Sequence, residues 1–219
     1  MTMLRLIDAS NSYCNSIRRT SSNISCVHES VDCFVLAGGK STRFGTNKSL
    51  ASIGARHMAA VVADNLQNAF GLSVRLIGAD AQTSSALELP SVVGSREGNG
   101  PLGAIVDALE MSNSEFVVIA PNDTPFFSAK CFTGLIDCLD ASNNDVAVAV
   151  DAEDETHVHW LLSIWRKATC LPLLREQYRN GTRSVHEATT GLHIANVAYE
   201  SALVRNVNSP KDLDDEGTI

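Results

Sequence analysis

Val31-Asp32-Cys33-Phe34-Val35-Leu36-Ala37-Gly38-Gly39-Lys40-Ser41-Thr42-Arg43-Phe44-Gly45-Thr46-Asn47-Lys48 is the stretch that decides the fold. Its first six residues form a short apolar run that fits a buried strand. A glycine-rich loop follows at once. Gly38 and Gly39 lack a Cβ, so a ligand can press against their backbone amides. Arg43 and Lys48 add positive charge, and Ser41 and Thr42 add donors. Amides and cations gathered in one loop suit a triphosphate. An ordinary turn with solvated charges accounts for the same composition, and the loop alone leaves both readings open.

Working outward, apolar segments alternate between strand and helix character. Residues 56–70 carry Met58, Val61, Val62, Leu66 and Ala69 at helical spacing. Residues 74–77 read as a second strand and residues 92–93 as a short one. Pro101 suits the first turn of a helix running to about Met111, with Leu102, Ile105, Val106 and Leu109 on one side. Residues 116–120 form another apolar strand. Ser128 can cap a helix to about residue 140. Residues 146–150 and 160–165 are strands joined by a short acidic link, which predicts antiparallel pairing. Residues 167–179 and 184–191 look helical, 194–199 strand-like, and Ser209-Pro210 opens a last short helix. This alternation predicts an α/β fold: a three-layer, doubly wound, mostly parallel sheet with an antiparallel strand. Ligands of such sheets bind at the carboxyl ends of the strands.

Composition narrows the function. The 219-residue chain is 44% hydrophobic and 19% charged, which is globular rather than disordered. With 17 basic and 25 acidic residues it carries a formal net charge of -8, which argues against a nucleic-acid polymer as partner. A small phosphorylated ligand needs only a few local cations and amides. No apolar run reaches the ~18 residues that span a bilayer, so no membrane partner is expected. Residues 1–30 lack apolar periodicity and read as a disordered tail before a domain over 31–219. Arg5, Arg18 and Arg19 among its serines also allow a transit-peptide reading. Cys14, Cys26, Cys33, Cys131, Cys138 and Cys170 form no C-x-x-C pair and read as buried thiols of a cytoplasmic protein.

Two look-alike motifs fail. Gly39-Lys40-Ser41 mimics the end of a P-loop, but that motif's first glycine would fall on Phe34, inside the strand. Gly98-Asn99-Gly100-Pro101-Leu102-Gly103 matches G-x-G-x-x-G, yet the strand before it is short and set apart by residues 94–97. A turn feeding a helix whose backbone approaches a ligand is the better reading.

Leu-Ala-Gly-Gly-x-Ser-x-Arg-x-Gly-x-x-Lys, at positions 36–48, resembles the signature of the nucleotidyltransferase superfamily that includes molybdenum cofactor guanylyltransferase. Later segments resemble the same family in the same order. They are Gly100-Pro101-Leu102-Gly103-Ala104-Ile105, Ala120-Pro121-Asn122-Asp123-Thr124-Pro125-Phe126, Gly181-Thr182-Arg183-Ser184, and Asn206-Val207-Asn208-Ser209-Pro210-Lys211-Asp212-Leu213. The resemblance covers about residues 31–215. It implies a Rossmann-like nucleotidyltransferase fold. It also implies transfer of a nucleoside monophosphate, with GTP the favoured donor, to the phosphate of a molybdopterin-type acceptor, releasing pyrophosphate. CTP or another triphosphate, a sugar-phosphate or polyol-phosphate acceptor, and a weakly active nucleotide binder are the alternatives.

The chemistry asks little of the protein beyond alignment. A phosphate monoester has a second pKa of about 6 and is already a nucleophile at neutral pH. The site must align two anions and offset their repulsion. Under the resemblance, Leu36, Ala37, Gly38, Gly39, Ser41, Arg43 and Lys48 bind the nucleotide. Arg43 and Lys48 neutralise charge as pyrophosphate leaves. Asp123, at a strand end, is the candidate ligand for Mg2+, or else a turn aspartate that caps a nearby amide. Asn206 and Asn208 either present amides to the acceptor or are turn residues. Gly100, Pro101 and Glu97 complete the acceptor side.

Three departures from the family pattern stand out. Asn47 replaces an aspartate. No aspartate precedes Gly100 in residues 94–99, where Glu97 could substitute or Arg96 could bind phosphate. His159-Trp160 stands where His-Pro is usual. His157 and His159, two apart on an expected strand, share a face as a metal pair, as contacts to substrate or partner, or as packing.

Overall fold

A computed structural model describes residues 30–38, 48–96, 100–141, 144–208 and 212. In chain order the elements begin with β1 (Val31–Leu36), a 3-10 turn (Lys48–Leu50), β2 (Ser52–Ile53), β3 (Arg56–His57), α1 (Met58–Phe70) and β4 (Val74–Ile77). Next come α2 (Ala81–Leu87), β5 (Ser91–Val92), α3 (Gly100–Met111), β6 (Phe116–Pro121) and α4 (Ala129–Ala141). The chain continues through β7 (Val146–Asp151), β8 (Val158–Arg166), α5 (Lys167–Arg179), α6 (Val185–Ala188), β9 (Ile194–Tyr199) and α7 (Ser201–Val204). Seven of the described strands form one sheet in the order β5-β4-β1-β6-β8-β7-β9. β8 runs antiparallel to both β6 and β7, and the other neighbours are parallel.

The sheet is buried on both faces, which is why its strands read as continuous apolar runs. Along β1, Cys33 and Val35 join the core under α1 and α4, while Phe34 joins the core under α3 and α5. β6 alternates likewise, with Val118 and Ala120 on one side and Val117 and Ile119 on the other. Leu102, Ile105, Val106 and Leu109 of α3 are fully buried, as the helical spacing predicts. Each such side chain contributes about 1.5–3 kcal/mol on burial. Cys33, Cys131 and Cys170 are buried and Cys138 is partly buried. Burial pushes the Cys33 and Cys170 thiols up to about 12. Cys14 and Cys26 lie outside the described residues, as does the expected tail apart from Ser30.

Several expectations shift. The helix expected over 184–191 is one turn, Val185–Ala188, closed by an i→i+3 bond from Thr190 N to Glu187 O. The strand expected at 92–93 sits one residue earlier. The β2–β3 hairpin, α2 and α7 carry no periodicity that would reveal them. α2 starts because the Asp80 carboxylate accepts from Thr83 N at 2.7 Å. The helix expected from Ser209-Pro210 lies outside the described residues.

β1 and β4 end on glycines whose backbones touch. Gly78 has φ +78°, and a Cβ there would stand 2.9 Å from Gly38 Cα. Gly78→Ala combines left-handed strain with a backbone clash and should cost about 1–3 kcal/mol. A thermal melt checks this. Gly71→Ala, at φ +69° with nothing within 4 Å of the added carbon, should lose less.

Candidate active site

The carboxyl ends of β1, β4 and β6 and the start of antiparallel β8 meet at one edge of the sheet. A cleft of about 1230 Å³ opens there. Leu36, Gly38, Gly100, Pro101, Asp123 and Asn206 line it, so these expected site residues come together across the fold. Ala37 is buried just beneath, its N–H bonded to Ile77 O at 2.9 Å. Gly38 therefore has two tasks: it faces the cleft, and it lets the chain pass against Gly78.

Ser49 holds this edge together. Its side chain is buried and its hydroxyl donates to Ala37 O at 3.0 Å. The Asn122 amide donates to the same hydroxyl at 2.7 Å, and Asn122 N bonds Leu36 O at 3.2 Å. The 3-10 turn that opens on Lys48 is thereby fastened to the ends of β1 and β6. His57 Nδ1 adds a 2.8 Å contact to Leu50 O on the far side of that turn.

Asp123 lies two residues past the end of β6. Its carbonyl accepts from Val207 N at 2.8 Å, which brings the closing segment and Asn206 to the same strand end. The Asn65 amide donates to Pro125 O and Phe127 O, both at 3.2 Å, and so fixes the loop beyond Asp123. Asn208 is exposed, is not among the residues that line the cleft, and its backbone N–H donates to Asp212 Oδ2 at 2.6 Å. Of the two asparagines expected on the acceptor side, Asn206 is therefore the one at the cleft lining. Gly39, Ser41, Arg43, Glu97 and the side chain of Lys48 lie outside the described residues.

The wall formed by residues 94–96 rests on a buried carboxylate that the sequence reading missed. Asp107 of α3 is 2% exposed. It accepts from Ser95 Oγ at 3.2 Å, Arg96 N at 2.9 Å and Arg96 Nη1 at 2.6 Å. A Cβ on Gly94 would lie 2.0 Å from Asp107 Oδ2, so only glycine fits. Arg96 also pairs with Glu110 at 2.8 Å and lies over the Tyr178 ring. Burial pushes the Glu110 carboxyl up, but hydrogen bonds and charge from Arg96 and Arg175 outweigh it and leave it below its ordinary value. The Arg96 charge is thus matched by two carboxylates, which argues against Arg96 as the phosphate ligand. The available signal was an aspartate on an otherwise apolar helix face.

The remaining wall comes from the β7–β8 hairpin. Pairing shifts between Val148↔Ser163 and Ala149↔His159, so residues 160–162 bulge from β8. The bulge turns Trp160, Leu161 and Leu162 toward the cleft, beside His157 and His159. The two imidazoles stack with centroids 4.5 Å apart, confirming that they share a face. Arg183 and Ser184, from the Gly-x-Arg-Ser loop, also line the cleft.

Comparison with known proteins agrees with this geometry. A "Probable molybdenum cofactor guanylyltransferase" of Halalkalibacterium halodurans is 27% identical over 188 residues, covering 82% of this chain and 93% of that protein. The "Molybdenum cofactor guanylyltransferase" of Haemophilus influenzae is 30% identical over 149 residues, 63% of this chain and 72% of that one. The crystal structure of "Molybdopterin-guanine dinucleotide biosynthesis protein A" from Archaeoglobus fulgidus shares the fold with a TM-score of 0.68 at 18% identity, covering 84% and 95% of the two chains. Among the described residues no helix is long and apolar enough to cross a membrane. The family described as "MobA-like NTP transferase domain" matches residues 33–193, and the chain belongs to that family.

Proposed function

We propose that this protein transfers GMP from GTP to the terminal phosphate of a molybdopterin-type acceptor, with release of pyrophosphate. The observation that carries the reading is the convergence at one sheet edge. The Gly38 backbone, the turn that opens on Lys48, Asp123 and Asn206 meet there around a single cleft. The names of the relatives favour guanine and molybdopterin within the transferase class.

The roles follow from the family resemblance. Amides at Gly38 and Gly39 receive the triphosphate at the end of β1. Lys48 and Arg43 offset charge on the departing pyrophosphate. Asp123 offers hard carboxylate oxygens at the cleft, which fits Mg2+, and phosphates and water complete its preferred octahedron. Bound there, Mg2+ would neutralise phosphate charge and raise the electrophilicity of the α-phosphorus. Asn206 and the Gly100-Pro101 start of α3, which line the same cleft, would receive the acceptor. A phosphate acceptor needs no general base, so alignment and charge are the main contributions of this chain.

Calorimetric titration with GTP, CTP, UTP and ATP tests the donor, followed by pyrophosphate release with a molybdopterin acceptor. Preference for GTP is expected, and preference for CTP would reassign the base. Lys48→Ala should reduce turnover about 100- to 1,000-fold, the scale of losing one transition-state charge partner. Asp123→Asn should raise the Mg2+ concentration giving half-maximal rate. Ser49→Ala should lower kcat with little change in overall fold by circular dichroism, because it loosens the turn bearing Lys48.

A further inference from the structure

The β7–β8 hairpin holds three potential metal ligands that the transferase chemistry does not use. Asp151 ends β7, and its N–H bonds His157 O across the turn at 3.2 Å. His159 sits opposite Ala149 in the next pairing. Cross-strand placement and the two-residue repeat therefore put all three side chains on one face. One carboxylate oxygen and one nitrogen from each imidazole lie within 4.8 Å of one another.

The surroundings prepare these groups as ligands. Asp151 Oδ1 accepts from Ser201 Oγ at 2.5 Å and from Glu153 N at 2.9 Å, which fixes the carboxylate from behind. Such outer contacts orient metal ligands. His159 Nε2 is buried and has no hydrogen-bond partner among the described residues. A buried imidazole nitrogen ordinarily finds one.

We propose that Asp151, His157 and His159 bind a zinc-class divalent ion at the edge of the cleft, in a site distinct from Asp123. Two imidazoles and one carboxylate suit borderline ions such as Zn2+ or Co2+. Mg2+ prefers oxygen donors and belongs with Asp123 instead. Three protein ligands leave coordination positions open. Because His157 and His159 line the cleft, an ion held there can take an anionic oxygen from a cleft ligand. The inference rests on the hairpin alone and stands whatever base or acceptor the cleft takes.

The test uses the full chain, stripped with chelator and titrated near neutral pH with Co2+ and Zn2+ in the absence of nucleotide. One equivalent of Co2+ should bind with visible absorption, be displaced by Zn2+, and resist a large excess of Mg2+. His157→Ala and His159→Ala should each weaken binding about 10- to 100-fold. His157 is exposed, so its variant keeps the test valid should His159→Ala fail to fold. His193→Ala should bind as the parent does, and Asp123→Asn should lose less affinity than either of the other two histidine variants. Absence of stoichiometric binding, unchanged affinity in His157→Ala, or equal loss in Asp123→Asn would each overturn the proposal.

Discussion

One buried hydroxyl governs the geometry of the cleft. Ser49 bonds a carbonyl at the end of β1 and an amide at the end of β6, so three separate segments share one point. Each bond is modest, about 0.5–1.5 kcal/mol net. Their value lies in the alternative: without the hydroxyl, a buried carbonyl and a buried amide lose their shared partner. The turn that opens on Lys48 and the Asp123 strand end are thus fixed relative to each other. That suits a reaction in which two anions must be held in line and the nucleophile needs no activation.

The Gly38–Gly78 contact serves the same end from below. Close passage of the two backbones leaves no room for side chains, so β1 and β4 finish level under the cleft. On the opposite wall, Asp107 replaces packing with charge. Three bonds from Ser95 and Arg96 hold residues 94–96 against α3, and Gly94 is what lets the carboxylate reach them. A charge buried this deeply is retained only with such complete pairing. The wall is therefore rigid where it enters the cleft.

The sequence made the scaffold legible because its strands are buried on both faces. β1, β4, β6 and β9 appear as apolar runs, and α1 and α3 as periodic ones. Two-residue strands such as β2 and β3 hold no period to detect, and α2 depends on the Asp80 cap. Of the residues that line the cleft, Leu36, Gly38 and Asp123 were legible at strand ends, and Gly100, Pro101 and Asn206 through the family resemblance. Ser49 was not, because its partners Ala37 and Asn122 lie 12 and 73 residues away and no local pattern announces them. Asn208 looked equivalent to Asn206, but only Asn206 is among the residues that line the cleft.

Charge economy explains how a chain of net charge -8 can receive anions. Arg75 pairs with Asp32, Arg166 with Glu115, and Arg96 and Arg175 with Glu110. These guanidinium groups stiffen the walls and contribute little net positive field. Arg183 differs. It donates to the carbonyl oxygens of Tyr178 and Thr182, and it stacks over the Tyr178 ring at 4.1 Å. Carbonyl bonds orient a cation without cancelling its charge. Arg183 also lines the cleft, so the Gly-x-Arg-Ser loop brings one guanidinium held by carbonyls to a lining that also carries Asp107 and Asp123. Single cations placed this way, rather than the net charge of the chain, are what a small anion needs, and the acidic chain as a whole disfavours long polyanions.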